Sequence, residues 1–100
     1  MLKFQLYQNQ PNPFHSATLI RYIIPKVGAR RAVPLRLAIY DLTGRLVETL
    51  VDGKQEPGVY QVEWKPNVVV QNFKHLPSGI YFYRLQSETF TATKKFILLR

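Results

Sequence analysis

The sequence contains no cysteine, so a disulfide framework and a thiolate zinc site are both excluded. Packing alone must offset about 1–2 kcal/mol of conformational entropy per ordered residue, and the redox compartment stays open. Acids are scarce. Six Asp and Glu stand against fourteen Lys and Arg, a net charge of +8 that draws the chain toward anionic surfaces in general. Nucleic acid, lipopolysaccharide, acidic proteins and phospholipid headgroups all answer to such a field, and each attraction is screened within ~8 Å in physiological salt. No run of about 18 apolar residues occurs, so no transmembrane helix is expected. Met1 to Asn9 lacks the apolar stretch of a secretory leader; any leader is expected elsewhere, with Met1 opening a segment excised from a longer chain.

Catalytic constellations are missing too. His15 and His75 are the two histidines, and neither has an acidic or histidine partner three or four residues on, so no metal site is expected. Asp41, Asp52 and Glu56 fall among turn residues, while Glu48, Glu63 and Glu88 read as solvated positions, which leaves no carboxylate pair for acid–base work. No Gly-x-Ser-x-Gly elbow and no glycine-rich loop before a helix is found, so neither an enzyme nor a cofactor is expected.

What the chain does have is alternation. One hundred residues, 46% apolar and 13% aromatic with 20% charged, suit one small globular unit rather than a disordered, collagenous or coiled-coil chain. Residues 1–16 carry Pro11 and Pro13 and read as an extended lead-in; residues 17–100 read as the body. Thr18 to Ile24 alternates with period two and stops at Pro25. Val33, Leu35, Leu37 and Ile39 point one way, and Pro34, Arg36, Ala38 and Tyr40 the other. Asp41-Leu42-Thr43-Gly44 fits a tight turn with Gly44 at positive φ, returning an antiparallel strand over Arg45 to Val51. Asp52-Gly53 and Glu56-Pro57-Gly58 then mark a loop before Val59 to Trp64, with Trp64 as a core anchor. Val68-Val69-Val70 is read as an edge strand or a packed loop. Ile80 to Gln86 is apolar on both faces and therefore central, and Phe90 to Leu99 forms the last strand, its phase broken by Lys94. About seven strands without a 3.6-residue pattern predict an all-β, immunoglobulin-like or fibronectin-like antiparallel sandwich, with a five-stranded barrel as the rival.

The remaining polar and aromatic residues have structural explanations first. Arg21, Arg36 and Arg84 fall at outward strand positions and Lys26, Arg30 and Arg31 crowd one loop, but no RNA-binding motif accompanies them, so a solvated face is preferred to nucleic-acid binding. Tyr81, following Leu76-Pro77-Ser78-Gly79, is expected to bond back to that turn as a tyrosine corner, and Tyr60 and Tyr83 are read as core.

Four blocks of sequence carry a family resemblance: Leu6 to Phe14 (Leu-Tyr-Gln-Asn-Gln-Pro-Asn-Pro-Phe), Tyr40 to Arg45, Leu76 to Leu85, and Lys94 to Leu99. In this order and spacing they resemble a type IX secretion C-terminal sorting domain, related in fold to the immunoglobulin-like domain of the flagellar hook-capping protein. The resemblance implies a non-catalytic address label at the carboxyl end of a larger N-terminal cargo in Bacteroidetes-type bacteria. Such a label directs its cargo from the periplasm across the outer membrane to the cell surface or medium. The implied partners are the outer-membrane secretion machinery and a sortase-like cysteine protease that cleaves before or near residue 1; edge strands allow self-association. The signal positions it implies are Pro11, Asn12, Pro13 and Phe14 in the lead-in, Gly79 and Tyr81 in the penultimate strand, and Lys94, Lys95 and Leu98 in the last. Gln10, where an aromatic is common, and Lys65-Pro66-Asn67 depart from the pattern. The alternative is a binding or spacer module, either hook-capping-like or carbohydrate-binding. A carbohydrate binder should expose two or three coplanar aromatics on one face, with Trp64, Tyr40 and Phe82 as the candidates.

Overall fold

The computed structural model describes residues 3–66 and 76–99, and every regular element among them is a β-strand. The strands are β1 (Gln5–Leu6), β2 (Thr18–Ile24), β3 (Val33–Tyr40), β4 (Leu46–Gln55), β5 (Gly58–Trp64), β6 (Gly79–Gln86) and β7 (Thr91–Leu98). They build a three-stranded sheet in the order β1-β2-β5 and a four-stranded sheet in the order β4-β3-β6-β7, with every ladder antiparallel. Two sheets facing one another make an immunoglobulin-like sandwich and not a closed barrel.

Period-two patterning explains the layers. Ile20, Tyr22 and Ile24 of β2, Val33, Leu35, Leu37 and Ile39 of β3, and Tyr81, Tyr83 and Leu85 of β6 are all buried between the sheets. β6 lies between β3 and β7, as its two apolar faces require. β2 and β3 stop where the alternation does. β4 runs further than expected: Asp52 and Gly53 remain in the strand, opposite Arg36 and Leu35, and only Glu56 and Pro57 connect β4 to β5. Register shifts at Leu37/Ala38 and Ile39/Tyr40 let the longer strand stay paired with the shorter one. The sequence also concealed β1, because two residues are too few to display a period. Val68 to Val70 and His75 lie outside the described residues.

Polar tips of buried aromatics tie the layers together. The Tyr22 hydroxyl donates to Gln55 Oε1 across the sandwich (2.7 Å), and Trp64 Nε1, on a residue only 2% exposed, donates to Glu48 Oε1 (3.1 Å). Burial raises the Tyr22 phenol above its ordinary pKa; the Gln55 bond opposes this and the neighbouring Tyr60 adds to it. Tyr81 makes the expected corner, its hydroxyl donating to the Pro77 carbonyl (2.7 Å). Tyr60 does the same to the Glu56 carbonyl (2.6 Å), so both Gly-x-Tyr strand entries are stapled to the turn four residues back.

Candidate functional site

The lead-in crosses from one sheet to the other. The Tyr7 N–H donates to the Arg21 carbonyl (3.0 Å), and Gln10 exchanges both backbone bonds with Leu19 (3.0 and 2.8 Å), extending the β1 pairing along β2. Pro11 and Pro13 carry no N–H to commit to that ladder, so the segment is able to leave it. It then joins β7: Phe14 N–H donates to the Ile97 carbonyl (3.1 Å) and Leu99 N–H donates to the Phe14 carbonyl (2.8 Å), a parallel bridge centred on Leu98. Side chains complete the seal. Ile97 N–H donates to Asn12 Oδ1 (2.9 Å), Gln8 Nε2 donates to the Lys95 carbonyl (2.8 Å), and His15 Nδ1 lies 3.1 Å from the Leu99 carbonyl.

A buried polar hub fixes this clasp. Asn9 N–H donates to the Tyr83 hydroxyl (2.8 Å), which donates to the Tyr7 carbonyl (2.6 Å). Asn9 Nδ2 donates to Thr18 Oγ1 (3.0 Å) and to the Pro11 carbonyl (3.1 Å), and Thr18 Oγ1 donates to the same carbonyl (2.8 Å). Desolvation pushes the Tyr83 phenol up to about 12, against the lowering effect of the Asn9 N–H. No buried side-chain polar atom among the described residues lacks a partner. Beneath the hub, the Phe14 ring packs against Phe96 (5.3 Å between centroids) and Trp64 (6.0 Å), and Tyr81 stacks on Phe96 (5.7 Å).

The clasp gathers most of the residues singled out from sequence. Pro11, Asn12, Pro13 and Phe14 form the crossing, Leu98 bridges to Phe14, and Gly79 and Tyr81 stand opposite Leu98 and Phe96 in the register. Lys94 and Lys95 lie farther back along β7, opposite Tyr83 and Phe82. Lys94 is half-buried on the inward phase and Lys95 is exposed; neither has an ion-pair partner among the described residues. Sequence reasoning missed Gln8, Asn9, Thr18 and the role of the Tyr83 hydroxyl. Asn9 alone had a local signal, since its side chain bonds backbone two residues on, as Asn does in turns.

β7 is therefore only half an open edge. By strand alternation its outward backbone groups belong to Thr91, Thr93, Lys95 and Ile97. The stretch from the Lys95 carbonyl onward is sealed by the lead-in, whereas Thr91, Thr93 and the Lys95 N–H carry no hydrogen bond from any described residue beyond β6. The cations do not make one face either. Arg21 lies over the Tyr7 ring (5.0 Å) on the three-stranded sheet, and Arg84 lies over Tyr40 (4.9 Å) on the other. Arg30 pairs with Glu88 and Arg31 with Glu56. Trp64 is buried, so of the three candidate aromatics only Tyr40, under Arg84, and Phe82 beside it lie on the outer face.

A known family covers most of the chain. The secretion system C-terminal sorting domain matches this chain over residues 9–99. The chain belongs to that family. No curated protein sequence matches this sorting domain. Among solved structures it is similar to part of PorZ, an essential bacterial surface component of the type-IX secretion system of Porphyromonas gingivalis. That match has 19% identity and a TM-score of 0.58, and covers 97% of this chain and 11% of that one. A β-glucosidase from Kluyveromyces marxianus is also similar, at 14% identity and a TM-score of 0.64, over 98% of this chain and 14% of the enzyme. The sorting domain thus spans a small fraction of either protein, and these likenesses concern fold alone.

Proposed function

We propose that the chain is the non-catalytic sorting signal of a type IX secretion system, carried behind a larger cargo. It takes that cargo from the periplasm through the outer membrane to the cell surface or the medium. Family membership over residues 9–99 is the observation that carries this reading. In it, the export machinery reads the last strand and the exposed Pro11, Asn12 and Pro13, which Phe14, Gly79, Tyr81 and Leu98 hold in place from beneath, and a sortase-like cysteine protease cuts on the cargo side. The clasp makes the reading specific. Strand addition is confined to the unsealed half of β7, where Lys94 and Lys95 set charge and direction; basic residues on an exposed edge also oppose pairing between copies.

Deleting the last strand is a poor test, because Phe96 and Leu98 are fully buried and their loss would unfold the body. The double substitution Lys94→Glu, Lys95→Glu leaves those side chains in place. A leader-bearing fluorescent reporter fused ahead of residues 1–100, in a bacterium with this export route, should reach the surface or medium. The double variant should strand it in the periplasm. Retention of the reporter carrying the native sequence would refute the sorting role, and normal delivery of the variant would refute the part given to the lysines.

A further inference from the structure

The outer face of the four-stranded sheet holds a feature outside the signal positions named above. Around the turn between β3 and β4, Tyr40, Leu42, Phe82, Arg84 and Thr93 line a groove of about 280 Å³. Tyr40 and Phe82 are direct cross-strand neighbours, and Leu42, 64% exposed, forms one lip. Apolar surface continues past it through Leu46, opposite Tyr40, and the Ile80–Ile97 pair. The volume falls below that of most small-molecule pockets and suits a side chain or two.

Charge selects the occupant. Arg84 lies over Tyr40, its Nε 3.4 Å from Thr93 Oγ1, and Lys95 stands opposite Phe82; no described carboxylate pairs with either. Asp41, the one carboxylate on the wall, is already committed. Its Oδ1 accepts from Thr43 N (2.9 Å), Thr43 Oγ1 (2.6 Å) and Arg45 N (3.0 Å), and its Oδ2 lies 3.6 Å from Arg45 Nε. The groove is thus an apolar slot with unneutralised cations along one side. With Arg84 covering Tyr40, it leaves Phe82 as a single half-buried ring rather than the row of open faces on which sugars or nucleobases stack.

We propose that this groove docks an extended acidic segment of a partner protein, seating one apolar side chain between Leu42 and Phe82 and a neighbouring carboxylate on Arg84. It uses outward side chains and not the backbone edge of β7, and its test needs no export, so it stands or falls apart from the sorting reading.

The test is an amide-shift titration of the whole chain with a blocked hexapeptide alternating Glu and Leu. Saturable shifts should centre on Tyr40, Leu42, Phe82 and Thr93. Arg84→Glu should weaken binding roughly tenfold or more, the loss expected when a charge-assisted contact becomes repulsive. Leu42→Asp, on the exposed turn, should weaken it without a folding cost. Arg21→Glu, the same charge change on the opposite sheet, should shift affinity by no more than about twofold once salt screens it. Absence of saturable shifts, shifts spread over all basic residues, an Arg21→Glu effect equal to that of Arg84→Glu, or an equal response to a Lys–Leu hexapeptide would each overturn the proposal. The same shift map with a single-stranded oligonucleotide would overturn it in favour of nucleic acid. Because no export machinery takes part, a reporter that fails to leave the cell does not bear on this result.

Discussion

The clasp and the β3–β4 hairpin are made from the same strand chemistry and are held in different ways. At the clasp, side chains from β2, β5, β6, β7 and the lead-in converge, Phe14, Trp64 and Phe96 are fully enclosed, and each buried polar atom is bonded. At the hairpin, β4 forms the edge of a four-stranded sheet faced by a three-stranded one, and none of its ten residues is fully buried. What holds it is ladder, turn and partial cover: Val47, Leu50 and Val51 rest on the core while Leu46 is 51% exposed. Alternation makes a strand, but a second layer must cover it before it contributes much to stability.

Substitutions should separate the two regions by size of effect. The largest is at the clasp: Phe14→Ala should cost about 3–5 kcal/mol in urea unfolding through the cavity it leaves against Trp64 and Phe96, whereas Leu42→Ala should change stability by less than about 0.5 kcal/mol. An equal loss at both sites would break the comparison. Next is Tyr83→Phe, which strands the Asn9 N–H and the Tyr7 carbonyl and should cost about 1–3 kcal/mol. It carries a pH signature. The folded chain holds the Tyr83 proton up to about 12 while the unfolded chain releases it near 10. Native stability should therefore fall across that interval by about 1.4 kcal/mol per pH unit, with Tyr22 adding in the same direction. The Tyr83→Phe chain should show a flatter alkaline slope.

Smaller effects belong to the hairpin. Gly44 closes the turn at φ +86° with open space around it, so Gly44→Ala should cost about 1–2 kcal/mol from backbone alone. Asp41 should give the smallest change. The Thr43 hydroxyl first, then the Arg45 N–H, hold its carboxyl below the usual carboxylate range, so it stabilises the fold above the unfolded pKa and ceases to as pH falls through the folded one. Asp41→Asn should lower the urea midpoint near pH 7, with the gap closing as the pH falls through the folded carboxyl's range. Equal midpoints at every pH would show that the turn uses the side chain's shape and not its charge.

Legibility divided along the same line. Thr18 to Ile24, Val33 to Tyr40 and the Asp41-to-Gly44 turn were readable because local sterics and a period of two act within a few residues. The Tyr81 corner was readable because donor and acceptor lie four residues apart. β1 was not, because two residues cannot show a period; the seal of Gln8 and Asn12 on β7 and the Asn9–Tyr83 bond were not, since their partners lie more than seventy residues away along the chain and nothing local encodes the meeting. Arg21, Arg36 and Arg84 all read as outward, but alternation reports which face of a strand a residue takes and not that β2 joins a different sheet from β3 and β6.

Taken alone, the sequence determined the strand class, the inward set of each strand, the turn chemistry and, through four blocks in order, the family, since all of these depend on neighbours in the chain. Only tertiary structure decided that the lead-in closes half of the last edge, that the Trp64 indole finds Glu48 across the sandwich, and that Arg84 is left beside an apolar slot without a carboxylate. These follow from which distant segments share a layer, and no short-range pattern records that pairing.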